Sequence, residues 1–306
     1  MSADRNSLPL IHRGVGDLEP AAQAAEHAVR VWGLDGSVDL VRLSMNAVFR
    51  CGDVIVRVGR PTDAAALTLL PELLREIGIS VPGSVGLDPV RVGTLTVSAQ
   101  RFEASSGRAV DWRTVGVMLR RLHDRLDPSA LPGVIPLADP RLIPWWDFPM
   151  LIKSVEQSPL IGVRERAALS AVVEQNASWG DLILGDQRVC HGDLQPGNVI
   201  QTAQGPVLLD WDLLGLAPVS WDHGPLLGQA IGPWPVEASV YAAFAEGYGR
   251  DLSADPSALT FARLRDLAAT LMRVKAAMER PALADEARLR LEYWVEGSAG
   301  RTWTPQ

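Results

Sequence analysis

Lysine is almost missing from this chain of 306 residues, whose basic residues are arginine except at Lys153 and Lys275. Cysteine is scarce as well. Cys51 and Cys190 alone occur, too few and too unpatterned for a disulfide framework or a zinc site, so they are expected to be structural thiols of a reducing compartment. Long hydrophobic runs are absent from the first residues: Met1 to Arg13 hold only the short apolar stretch Leu8 to Ile11, too little for a secretory signal or a membrane span, and a cytoplasmic protein is expected. Excess positive charge is lacking too. A formal net charge of -7 gives no basic stripe with which to displace counterions from nucleic acid, and suits a cationic partner better. No internal repeat, low-complexity segment or long polar tract occurs. What is there, 47% hydrophobic and 21% charged residues, is the composition of a soluble globular protein. The length calls for two lobes or one large domain.

Apolar periodicity divides the chain into a strand-rich first part and a helical remainder. Ala22, Ala25, Ala28, Val29 and Trp32 recur at three- and four-residue steps, which predicts a helix from Pro20 to Gly33. Ser37 to Leu43, Ala47 to Arg50 and Val54 to Val58 alternate or run apolar with β-branched enrichment. With Cys51-Gly52-Asp53 as a hairpin turn they predict an antiparallel meander. Thr62 to Ile77 reads as a helix interrupted at Pro71, followed by a break at Val81-Pro82-Gly83 and a strand over Thr94 to Ala99. Gln100 to Gly107 reads as a connector. Val115, Met118, Leu119 and Leu122 then set a helix over Val110 to Leu126, and the lobe boundary falls before it, between residues 1–102 and 103–306. Residues 128–149, rich in proline, predict an irregular excursion. Helices are expected over Phe148 to Glu156 and Arg164 to Ala177, and mostly helix from Trp221 to Glu296. Between them Val199-Ile200 and Val207 to Leu209 flank Ala203-Gln204-Gly205 as a small hairpin.

The chemistry concentrates in Val189-Cys-His-Gly-Asp-Leu-Gln-Pro-Gly-Asn-Val-Ile200. Asp193 and Asn198 stand five residues apart on a loop that runs into a strand, and Asp210 follows twelve residues later. Phosphoryl transfer needs such a set: a carboxylate to orient or deprotonate a hydroxyl, and oxygen ligands that hold magnesium against phosphates. These residues resemble the aminoglycoside phosphotransferase and choline kinase family, whose catalytic loop runs His-x-Asp-x-x-x-x-Asn and whose magnesium site adds an Asp after a short hairpin. Gly192 and Asp210-Trp-Asp212, where protein kinases carry His-Arg-Asp and Asp-Phe-Gly, favour the small-molecule branch. The resemblance implies a bilobal protein-kinase-like α+β fold, with a small N-terminal antiparallel-sheet lobe for nucleotide and a larger, mostly helical C-terminal lobe with catalytic loop and acceptor site. It implies Asp193 as catalytic base, Asn198 and Asp210 as magnesium ligands, and ATP and Mg2+ as cofactors. His191 is then a brace of the loop. Asp222 starts a helix and steadies the loop, although a plain helix N-cap explains it equally at this stage. Asp212 caps or braces the turn after Asp210.

The first lobe departs from the family pattern. Where relatives place a lysine on the third strand, Val54-Ile-Val-Arg-Val58 offers Arg57, whose planar fork binds phosphate differently from an ammonium. Its acidic partner is open between Asp63 and Glu72 or Glu76. The turn Leu43-Ser-Met-Asn-Ala47 has no glycine, so only backbone amides and the side chains of Ser44 and Asn46 remain to cover phosphates. His123 and His223 are expected to be structural, and neither His12, His27 nor His123 completes a metal-ligand spacing, which argues against a metal hydrolase. On the acceptor side Trp234 is a candidate to stack on a sugar, and Glu237 or Asp266 to meet an ammonium. The expected activity is ATP- and Mg-dependent transfer of the γ-phosphoryl group to a hydroxyl of an aminoglycoside-like antibiotic, amino sugar or amino alcohol, without nucleic-acid or membrane partners. The competing reading is a nucleotide-binding pseudokinase or regulatory protein without turnover. Oligomeric state has no signature in the sequence.

Overall fold

The computed structural model describes residues 9–11, 13–297 and 302–304; Leu8 and His12, named above, lie outside them. The β-branched segments form one antiparallel sheet from β1 (Asp39–Leu43), β2 (Ala47–Cys51), β3 (Val54–Gly59), β4 (Val90–Val92) and β5 (Leu95–Arg101), in the order β1-β2-β3-β5-β4. Cys51 faces Val54 across the turn that joins β2 to β3. The meander is as the pattern predicts, and β4 is an addition, three residues paired to the start of β5. On one face of the sheet lies α1 (Leu18–Val31). Its Ala21, Ala24, Ala25 and Ala28 recur at helical spacing, and their small side chains let the helix settle against Phe49, Val56, Val58 and Val97.

The next helix corrects an expectation. Thr62 to Ala65 are not helical, and α2 (Ala66–Glu76) runs through Pro71 without interruption. Proline removes one backbone donor there, but Leu70 and Leu74 on the same helix are buried in the main core, and their burial holds the helix across the gap.

The second lobe begins with α3 (Trp112–Arg125), capped by the Asp111 carboxylate, which accepts from the Thr114 amide. Irregular chain follows, with 3-10 turns at Pro140–Leu142 and Pro144–Trp146 where proline is dense. The helices are α4 (Phe148–Val155), α5 (Val163–Gln175), α6 (Trp179–Leu182), α7 (Ser220–Ile231), α8 (Ala238–Tyr248), α9 (Pro256–Glu279) and α10 (Ala284–Glu296). Between α6 and α7 two small antiparallel sheets pair β6 (Gln187–Cys190) with β9 (Gly215–Pro218), and β7 (Val199–Thr202) with β8 (Gly205–Leu208). One apolar core joins Leu119, Leu122 and Phe244 to Leu70 and Leu74 of α2, so it spans the two lobes. A second gathers Trp146, Phe148, Trp221 and Phe261, whose rings meet tilted or edge to face.

A further tie crosses between the lobes. The Leu10 amide donates to the Asp212 carbonyl at 3.0 Å, and the Leu10 carbonyl accepts from the Thr62 amide at 2.7 Å. The Thr62 hydroxyl donates to the Pro9 carbonyl, and Ile11 bridges to Pro61. Among the described residues no helix is long and apolar enough to cross a membrane. Both cysteines are free and buried, and burial pushes the Cys190 thiol well above its usual range, as befits a structural residue.

Candidate active site

The chain leaves β6 at Cys190 and turns sharply through residues 191–198. Gly192 has φ +87°, and a Cβ there would lie 2.3 Å from the Leu213 carbonyl oxygen, so only glycine lets this loop pack on the turn that carries Asp210 and Asp212. Asp222, in the first turn of α7, is wholly buried. Its carboxylate accepts from the amides of His191 (2.8 Å) and Gly192 (2.7 Å) and pairs with His123 Nε2 (3.0 Å). Burial pushes the Asp222 carboxyl up, but His123 and these amides outweigh it and hold it below its ordinary value. His123 is fixed in turn by the Tyr248 hydroxyl at its Nδ1. His191 is buried: its Nε2 donates to the Leu209 carbonyl at 2.9 Å, and its Nδ1 accepts from the Asp193 amide at 3.2 Å. The loop is thereby tied to the end of β8.

Asn198 donates through Nδ2 to the Asp193 carbonyl (2.9 Å) and to Asp193 Oδ2 (3.0 Å), which turns its own Oδ1 away from that carboxylate. Asp193 Oδ2 also accepts from Gln195 Nε2 at 3.1 Å, and Asp193 Oδ1 is ion-paired with Arg265 of α9.

Asp210 is the one non-glycine residue with positive φ among the described residues, at +61°. Aspartate tolerates this left-handed conformation better than most residues, and it bends the chain into the 3-10 turn Trp211–Leu213, carrying Asp210 and Asp212 to one place. Asp210 Oδ1 accepts from Arg57 at 3.1 Å and its Oδ2 from Arg42 at 3.2 Å. Asp212 Oδ2 is paired with Arg57 and accepts from Asn46 Nδ2 at 2.6 Å. Burial pushes Asp210 up, but the charges of Arg57 and Arg42 win and hold it below its ordinary value. For Asp212 burial wins over Arg57, and neighbouring Asp210 adds to it, so this carboxyl is pushed up to about 7. Burial opposes the charge on Arg57, yet Asp212 and Asp210 hold its pKa above the ordinary value.

Asn46 fits because β3 ends in Gly59, where a Cβ would lie 2.3 Å from Asn46 Oδ1. That Oδ1 and Asp212 Oδ1 are buried acceptors without a hydrogen-bond partner. Buried acceptors normally find donors or a cation. With Asn198 and Asp210 they make an all-oxygen set, the ligand chemistry of a hard divalent ion, and the site fits magnesium.

A cleft of about 330 Å³ between the lobes is lined by Asn46, Arg57, Ala99, Phe102, Asn198 and Asp210 among others. The structure therefore brings Arg57, Asn46, Asn198 and Asp210 together, with Asp193 beside them. Ser44 is not brought in. It is exposed and accepts from Arg42 Nε. The acid expected on the helix after β3 is not the partner of Arg57 either: Asp63 accepts from the Ala65 amide, Glu72 lines the cleft, and Arg57 spans to Asp210 and Asp212 of the other lobe. In the connector the Arg101 amide donates to Gly83 and the Phe102 amide to Asp53. Trp234 and Asp266 meet each other, Trp234 Nε1 donating at 2.7 Å to the buried Asp266 carboxyl, so Asp266 is engaged within the fold. Among the described residues, His123, Cys190 and Asp222 form the one cluster of three His, Cys, Asp or Glu side chains close enough to share a metal, and Asp222 is already engaged by the amides of His191 and Gly192. Sequence reasoning missed Arg265, Arg42 and the inter-lobe ion pair of Asp212. Arg265 lies 72 residues from Asp193 and carries no local signal.

A family model described as the phosphotransferase enzyme family matches residues 97–267, a stretch that holds Asp193, Asn198, Asp210, Asp212, Asp222 and Arg265. No curated protein matches the chain by sequence. Among solved structures, spectinomycin phosphotransferase in complex with ADP and spectinomycin is similar with a TM-score of 0.64 at 16% identity, covering 90% of this chain and 96% of that one. An amicoumacin kinase in complex with AMP-PNP and Ca2+ gives 0.62 at 13% identity, covering 93% and 97%. Choline kinase from Streptococcus pneumoniae gives 0.57 at 15% identity, covering 90% and 99%. At these identities the likeness is one of fold, a small sheet lobe over a larger helical lobe.

Proposed function

This chain belongs to the phosphotransferase enzyme family, and from that premise we propose that it moves the γ-phosphoryl group of ATP, with Mg2+, to a hydroxyl of a small molecule. Residues 1–102 would grip the nucleotide and residues 103–306 carry the catalytic loop and acceptor site. The observation that carries the reading is the meeting of Asn198, Asp210 and Asp212 at a cleft between the lobes, with Asp193 held beside them by Asn198 itself. The named acceptors of the similar structures, spectinomycin and choline, are small molecules of this general kind.

Asp193 is the base: it takes the acceptor's proton as the hydroxyl oxygen attacks. Asn198 and Asp210 would hold the metal, and Asp212 Oδ1 and Asn46 Oδ1 are buried oxygens left without a hydrogen-bond partner beside them. When bound, magnesium offsets the negative charge on the transferring phosphoryl group. Arg57 and Arg42 add positive charge at the same end of the cleft, while His191 and Asp222 keep the loop in register.

Asp193→Asn is the direct test. It should lower Mg-ATP turnover by roughly 10²- to 10⁴-fold, the usual worth of a general base, while calorimetry shows nucleotide binding retained. Turnover equal to wild type removes Asp193 from the mechanism. Asp210→Asn should instead weaken magnesium-dependent nucleotide binding.

A further inference from the structure

Both carboxylate oxygens of Asp193 are already engaged, and Arg265 stands at Oδ1 where a hydroxyl would approach. Oδ2 accepts from Asn198 and Gln195, and Oδ1 is held by Arg265. Asn198 and Asp210 line the nucleotide cleft but Asp193 and Arg265 do not, so Arg265 reaches the base from outside the nucleotide space. The Arg265 side chain stays 23% exposed there. Gln229 of α7 donates to Gln195, so the wall beside the base is made of a guanidinium and two amides. The adjacent Asp266 is hydrogen-bonded to Trp234 and acts on Arg265 through its charge alone. An ammonium brought to this wall would face like charge. A carboxylate or phosphate would face a planar fork able to take it by two parallel hydrogen bonds.

Resting on the phosphotransferase reading above, we propose that the acceptor is acidic: it carries a carboxylate or phosphate next to the reacting hydroxyl, and Arg265 leaves Asp193 to receive that group. The exchange opens Asp193 Oδ1 to the hydroxyl. The acceptor oxygen then bonds to the γ-phosphorus as the bond to the β-γ bridging oxygen breaks, ADP departs with that electron pair, and the hydroxyl proton passes to Oδ1. Recognition of the acceptor and release of the base are one movement. The amino acceptors expected from the sequence offer Arg265 no such partner, because an ammonium repels the guanidinium instead of receiving it.

The test measures ADP release from Mg-ATP with glycerate, glycerol 3-phosphate, glycerol and 3-aminopropane-1,2-diol, for wild type, Arg265→Gln and Arg265→Lys. These share a hydroxyl and differ in charge, and the two acids separate carboxylate from phosphate. At least one acid should drive release about tenfold faster than glycerol or the amine, the lower end of what a charge-assisted hydrogen bond supplies. Arg265→Gln should erase that preference and Arg265→Lys keep part of it. Acids no faster than glycerol, or an acid preference that survives Arg265→Gln, overturn the proposal. A wild type that binds no Mg-ATP in calorimetry fails the phosphotransferase reading itself, and the acceptor inference falls with it.

Discussion

Replacing Asp222 by alanine perturbs the site at the point where most of its order is anchored. The carboxylate is wholly buried and satisfies three donors, the amides of His191 and Gly192 and the ring of His123. Alanine leaves all three buried without a partner, at roughly 1–3 kcal/mol each. Removing a buried carboxylate relieves part of that cost, since a charge is no longer kept out of water. The net loss should be about 4 kcal/mol, a large share of the 5–15 kcal/mol that holds most domains folded, taken here as an approximate range. Urea unfolding followed by tryptophan fluorescence reads it directly, because Trp221 adjoins the substitution. Turnover should fall by about 10²-fold or more even where the variant is folded, since small displacements of a reacting group carry costs of that order. The Asp222→Asn variant keeps one acceptor but turns an NH2 toward a second donor, so it should fall between. If Asp222→Ala unfolds within about 1 kcal/mol of wild type, the anchoring argument is wrong.

Three other perturbations separate the remaining ideas. Burial pushes Asp266 up to about 7 from 3.8, so the folded protein binds a proton there that the unfolded chain has lost. Its stability contribution is full below pH 3.8 and is lost as pH rises to about 7, a change of about 4 kcal/mol. Asp266→Asn, which still accepts from Trp234, should flatten that slope in denaturation curves and exceed wild type in stability at pH 8; parallel curves would refute it. Arg57→Met leaves buried Asp212 without its cation and Asp210 with Arg42 alone, and should cost about 3 kcal/mol. Magnesium should then raise the Tm of the variant more than that of wild type, and equal shifts would contradict the pairing. Gly59→Ala pushes the Asn46 amide off Asp212 and should weaken magnesium-dependent nucleotide binding about tenfold, about 1.4 kcal/mol; an unchanged titration would remove Asn46 from the site.

The second-lobe chemistry was legible because its residues lie close in sequence and each element between them has a short-range cause. The loop at 191–198, the hairpin of β7 and β8, and Asp210 just past it form a local pattern that spacing can reveal. The first lobe gave its strands by alternation but not its wiring. Arg57 was visible on β3, yet its partners sit more than 150 residues away in the other lobe, and a search among nearby acids stops at Asp63 and Glu72. Asp212 read as a turn residue, since nothing near it in sequence announces an ion pair across the cleft. Pro71 misled because the missing donor is visible in sequence while the compensating burial of Leu70 and Leu74 is not. β4 escaped because a strand of three residues between turns has no periodicity to detect.

The tie at Leu10 has a mechanical side. Lobes joined only between β5 and α3 would swing on that connector like a pair of jaws, but Leu10 fastens the first lobe to the peptide of Asp212 itself. Wide opening of the cleft must either carry the Asp212 turn along or break this bond together with the ion pairs of Arg42 and Arg57 to the same turn.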